Sequence, residues 1–210
     1  DKNYIKSKNL ENLKKYILGA LGCKMSYIEI FKKCNKEKYN HILIIEDDAL
    51  FHNDFIKNIK KIKNNLKNIN FNYDMVWLSP NWLFKNNDNI LNRCFSYKYI
   101  NNNFALVNSS KSIDNNLGST NSTGGNIFSK KCIEYILNNF EKSKQNEIDM
   151  WFREYIQSKN NVYTTIPNLI QQRVEESSIE GFKVNYDKDI HYKTRMKFNI
   201  FSLVTKKSNK

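Results

Sequence analysis

Proline and glycine are scarce here: two prolines and six glycines among 210 residues. Long flexible or polyproline linkers, which need those residues, are therefore excluded. No apolar run approaches the ~20 residues that cross a bilayer as a helix. No signal peptide is visible, and any such signal would lie upstream. The sequence starts at Asp1 and reads as a piece of a longer product. The four cysteines, Cys23, Cys34, Cys94 and Cys132, contain no C-x-x-C pair, which argues against a zinc site. Cys23 and Cys34 fall on one expected helix, roughly 16 Å apart along its axis and too far for a disulfide. Free thiols favour a reducing, cytoplasmic setting, and a secretory lumen would require an upstream signal. Neither G-x-x-x-x-G-K-[ST] nor G-x-G-x-x-G occurs, so no glycine-rich loop is available to hold phosphate.

What the sequence does contain is apolar bulk and positive charge. Hydrophobic residues make up 40% and aromatics 13%, too rich for a disordered chain and enough for one domain with its own core. The net charge is +13. Such an excess suits nucleic acid, an anionic surface or an anionic small substrate. Lys, Asn, Ile, Tyr and Phe are abundant together and share AT-rich codons, so genome composition can supply much of the charge. The lysines are scattered. Their densest run, "IKNIKKIKNNLKN", alternates with apolar residues as a solvated helix face does.

Apolar periodicity predicts one long helix or two short ones over 10–38, with Leu10, Leu13, Ile17, Leu21, Ile28 and Phe31 inward. Gly19 and Gly22 are weak points or close-packing sites in it. "HILII" (41–45) is a short continuous apolar run, the mark of a strand covered on both faces. Asn53 or Asp54 can cap a helix reaching about residue 68. "YDMVWLS" (73–79) reads as a second buried strand, followed by a strand-prone middle to 107 and a polar loop over 108–125. A strand at "NIFS", helices over 130–140 and 148–157, and a strand over 162–166 complete the pattern. From Pro167 onward the sequence reads as irregular. The alternation implies an α/β domain with a mostly parallel central sheet, whose ligand lies beyond the carboxyl ends of its strands.

The stretch "HILIIEDDALF" stands out, because an apolar strand runs into Glu46, Asp47 and Asp48. Three adjacent carboxylates repel one another unless something positive sits among them. Oxygen ligands suit hard cations such as Mg²⁺ or Mn²⁺, which complete their shells with substrate phosphates. A metal–diphosphate site and a plain solvated turn both fit this stretch. His41 and His52 flank it, His41 as the first residue of the strand. Asp149 falls at the start of a predicted helix, where the dipole favours an ionised carboxylate.

Four blocks in order resemble family 25 glycosyltransferases, over most of the chain. "GALGCKMSYIEIF" resembles that family's G-E-x-G-C-x-x-S-H helix, and "ILIIEDDALF" its strand plus E-D-D. "STGGNIFSKKCIEYIL" resembles its G-T-x-G-Y-x-I-S strand and helix. "EIDMWFREYI" with "TIPNLIQQRVEESSI" resembles its P-x-D helix and closing P…Q…S-x-I segment. The resemblance implies a GT-A-like fold and a single glycosyltransferase domain over 1–210, lacking the first strand–helix unit of that fold. It implies an inverting enzyme that moves a hexose from a UDP-sugar to a glycan or hydroxylysine-type hydroxyl, with Mn²⁺ or Mg²⁺. On that reading Asp48 is the first metal ligand, and Asp47 and Glu46 share the metal or touch the ribose. Asp149 is the base that takes the acceptor's proton, with Glu147 as its substitute. Thr123 and Gly125 line the donor or acceptor pocket. His191, in "DIHY", is a further candidate metal ligand. Trp77, Trp82 and Trp151 are candidates for stacking on sugar rings, with Trp82 favoured and Trp77 expected in the core.

The departures from the family pattern are Ala20 for glutamate, Tyr27 for histidine and Asn126 for tyrosine. They keep open a catalytically inactive glycosyltransferase-like module. A basic nucleic-acid-binding protein is the other rival. It has charge in its favour but no recognisable motif and no stripe of lysines interleaved with aromatics.

Overall fold

The computed structural model describes residues 10–82, 97–101, 104–107, 120–142, 146–157, 161–165 and 168–173. One unbroken helix, α1 (Leu10–Lys36), opens it. Its inward face is Ala20, Lys24, Tyr27, Ile28 and Phe31, spaced as helix turns require. Ile17 and Leu21, expected inside, are instead about two-fifths exposed, at 39% and 41%. The helix buries only its second half against the sheet, so the apolar pattern of its first half overstates its burial. Gly22 is not a close-packing site, since a Cβ there would meet nothing.

The main sheet has six strands in the order β1-β8-β3-β9-β6-β5. These are β1 (His41–Ile45), β3 (Met75–Trp77), β5 (Tyr97–Asn101), β6 (Phe104–Val107), β8 (Gly125–Ser129) and β9 (Val162–Thr165). Two short pairs flank it: β2 (Ala49–Phe51) with β10 (Ile170–Gln172), and β4 (Asn81–Trp82) with β7 (Thr120–Asn121). The domain is α/β, but the sheet is mixed rather than mostly parallel. Among its described pairings only β3 with β9 is parallel. A parallel neighbour needs a crossover connection, and β5 and β6 follow one another with no helix between them.

Helices cover both faces of the sheet. Period-two alternation explains why β3 is apolar throughout: Met75 and Trp77 enter one core, Val76 the other, with Leu78 just beyond. The first core joins α1, α3 (Lys130–Asn139), α4 (Ile148–Trp151) and the π-helical turn Phe152–Gln157. Its centre is aromatic, with Phe31 edge-on to Phe128 at 5.0 Å and Phe128 against Phe152 at 5.2 Å. The second core packs Ile62 and Leu66 of α2 (Phe55–Asn68) against Tyr73, Val76, Phe104 and Tyr163.

β1 is not covered on both faces. It stands at the sheet edge, with Ile44 buried but Leu43 and Ile45 exposed. Two helices begin where the apolar spacing places them. Ser129 caps α3 by accepting from the Cys132 N–H at 3.2 Å. Asp54 occupies the cap position of α2 without a side-chain cap bond, and its own N–H donates to His52 Nδ1 at 3.0 Å. The predicted helix over 148–157 is a single α turn continued as a π-helix. Strand β10 lies in the segment expected to be irregular.

Candidate functional site

β1 and β3 end, and β8 begins, at one edge of the sheet. Ile45 pairs with Gly125 and Trp77 with Asn126. The Glu46 N–H donates to the Gly124 carbonyl at 3.3 Å, and the Leu78 N–H to the Gly125 carbonyl at 3.0 Å. The turn over 122–125 is thus clamped between two strands. Ser122 holds a positive φ of 132°. Its hydroxyl accepts from the Gly124 N–H at 3.2 Å and lies 3.2 Å from the Ser79 hydroxyl. Space is tight at Gly124 and Gly125. A Cβ on Gly124 would stand 2.8 Å from Ser79 Oγ, and one on Gly125 would overlap the buried Ile170 side chain. Gly125 is therefore held there by packing.

The three acids after β1 point differently. Asp47 is exposed, while Glu46 and Asp48 are half-buried. Burial pushes the Glu46 carboxyl up to about 7. A hydrogen bond from the Thr123 side chain draws it partly back, and the charges of Asp48, Asp149 and Asp47 add to the rise. The Gln172 side-chain amide reaches both carboxylates. Its nitrogen donates to Glu46 Oε2 at 2.9 Å and lies 3.5 Å from Asp48 Oδ2. The β2–β10 pair delivers it, placing Gln172 opposite Ala49, and the Arg173 N–H donates to the Asp48 carbonyl at 3.0 Å. Sequence reasoning does not single out Gln172. The one signal was its place in the closing P…Q…S-x-I segment.

Asp149 lies in the first turn of α4, with Glu147 in the cap position. The Met150 N–H donates to its Oδ1 at 2.8 Å. The helix start does not keep this carboxyl acidic. Burial pushes it up to about 6, against the pull of the Met150 bond, and the Glu147 charge adds to the rise. Glu147 is itself engaged, accepting from the Tyr16 hydroxyl at 2.8 Å.

Helix α1 joins the two acidic groups. Burial raises the Cys23 thiol to about 12, and the charges of Glu46 and Asp149 contribute. Tyr27, one turn on, is raised by burial and then by Glu46, Cys23 and Asp149. Its hydroxyl donates to the Thr123 carbonyl at 2.9 Å. The fold therefore gathers Glu46, Asp48, Thr123 and Asp149, with Cys23, Tyr27 and Gln172, from five separate stretches of chain. His191 lies outside the described residues. Trp77 is in the core as expected, but Trp151 is fully buried too, stacked on Tyr155 at 5.0 Å, so it cannot face a sugar. Trp82 lies on β4 with its backbone opposite Thr120. Among the described residues, no three His, Cys, Asp or Glu side chains converge as a metal cage.

Fold and site together define an α/β domain with half-buried carboxylates gathered at one end of the sheet's strands. Residues 2–152 match the family model described as "Glycosyltransferase family 25 (LPS biosynthesis protein)". The chain belongs to glycosyltransferase family 25. It is thus an enzyme of the glycosyltransferase class, acting between a sugar donor and an acceptor. No curated protein matches it significantly. Among the described residues, no helix is long and apolar enough to cross a membrane.

Proposed function

We propose that the chain transfers a hexose from a UDP-sugar to a hydroxyl acceptor, a glycan or a hydroxylysine-type residue, with inversion. The observation that carries this reading is Asp149, a half-buried carboxyl in the first turn of α4, raised by desolvation to about 6 and within electrostatic reach of Glu46 after β1. A carboxylate of that basicity suits proton removal near neutral pH. In the proposed step the acceptor oxygen attacks the anomeric carbon from the side opposite the diphosphate. Asp149 takes the hydroxyl proton as the new C–O bond forms and the bond to the diphosphate breaks.

The donors around Asp48 are hard oxygens, which suit Mn²⁺ or Mg²⁺ bound by one or two carboxylates plus phosphate and water. Asp48 and Asp47 would hold it, with His191 as a third candidate. When bound, the cation would stabilise negative charge on the departing diphosphate. Glu46 and Thr123, joined by a hydrogen bond, are the proposed contacts to the donor's ribose. The positive net charge favours an anionic donor at the same time.

A thermal-shift panel of sugar nucleotides, with and without Mn²⁺, tests the donor and the metal. A metal-dependent rise with a UDP-hexose is expected, and it should vanish in Asp48→Asn. Proton NMR of the product's anomeric coupling tests inversion. Retention of configuration would overturn the single-displacement role of Asp149. Absence of binding and transfer with every donor would favour the inactive-module reading.

A further inference from the structure

We propose that Gln172 is a positioning residue of this site, whose side-chain amide draws the Glu46 and Asp48 carboxylates together and sets their relative orientation. Two carboxylates on one tight turn repel each other and would splay apart. A glutamine amide carries two N–H donors and no charge. Here one nitrogen serves both acids: a full hydrogen bond to Glu46 Oε2 at 2.9 Å and a contact with Asp48 Oδ2 at 3.5 Å, the outer limit of such a bond. The amide is therefore anchored on Glu46 and steers Asp48.

Its own placement is rigid. Strand β10 pairs with β2 immediately after the acidic turn, the Arg173 N–H donates to the Asp48 carbonyl within it, Ile170 is fully buried, and the Gln172 side chain packs beside Gly124. A lysine, the commonest cation in this chain, would add a positive charge between the two acids. A neutral donor orients both carboxyl groups and adds no charge of its own. The catalytic consequence of this positioning rests on the transfer reaction proposed above. The positioning itself does not.

The test exchanges donor and acceptor. Gln172→Glu keeps the shape of the side chain but replaces the amide by a third carboxylate. It should lower the urea midpoint and cut kcat at least tenfold, with the KM for acceptor little changed. Glu46→Gln combined with Gln172→Glu restores a donor–acceptor pair at the same place and should recover the urea midpoint. Should Gln172→Glu fail to fold, Gln172→Ala reads the same coupling, with a larger midpoint loss in the wild-type background than in Glu46→Gln. Additive midpoint shifts in either cycle, or wild-type stability and turnover in Gln172→Glu, would overturn the proposal. If the wild type transfers no hexose from any UDP-sugar, the proposed function fails, while the midpoint cycle still decides the role of Gln172.

Discussion

Asp149→Asn should make the protein more stable at neutral pH and no more stable at pH 4. Burial raises this carboxyl from 3.8 to about 6. Between those values the folded state holds the proton more tightly than the unfolded chain does. Wild-type stability therefore falls as pH rises from about 4 to about 6, and the loss persists above that. Each pKa unit is worth about 1.4 kcal/mol, so two units give about 3 kcal/mol. Asp149 is partly exposed, which lowers the expected effect to about 2 kcal/mol. Asparagine carries no such proton, yet its side-chain oxygen can still accept from the Met150 N–H. The gain should be helped by Glu46, whose own rise to about 7 owes part to the Asp149 charge. Urea denaturation of both proteins, followed by tryptophan fluorescence from pH 4 to pH 8, measures the difference directly. A difference that is constant across pH, or a variant less stable at pH 7, would refute the burial argument.

Three other outcomes follow from the same geometry. If Asp149 is the base, kcat should fall below about pH 6 as the carboxyl takes up its proton, and Asp149→Asn should lower kcat by roughly a hundredfold with donor affinity nearly unchanged; an acid limb that persists in the variant would assign the base elsewhere. Gly125→Ala drives a Cβ into Ile170 and should cost about 1–3 kcal/mol in thermal or urea melts, with partial recovery in Gly125→Ala/Ile170→Val. Ser129→Ala removes the cap of α3 and should cost about 1 kcal/mol, read by the same melts.

The sequence by itself determined the local features. The apolar run at 41–45 ending in three acids was legible as a strand and its turn, because side-chain hydrophobicity and β-branching act at short range. The helix over 130–140 was legible from its apolar spacing, and Asp149 from its place at the start of the next helix, whereas the Ser129 cap was not singled out. The four ordered blocks pointed to the family that the match over 2–152 bears out.

Only the tertiary structure decided the rest. Strand direction depends on which segment a strand meets, so the mixed sheet could not be read from alternating elements. β2 and β10 are three residues each and exist through their mutual pairing, which no local pattern encodes. That pairing brings Gln172 to Glu46 across 126 residues of chain. Burial then overturned the local expectation at Asp149. A helix start favours the charged carboxylate, but desolvation by the packed core outweighs it, because moving charge out of water costs more than one turn of dipole returns.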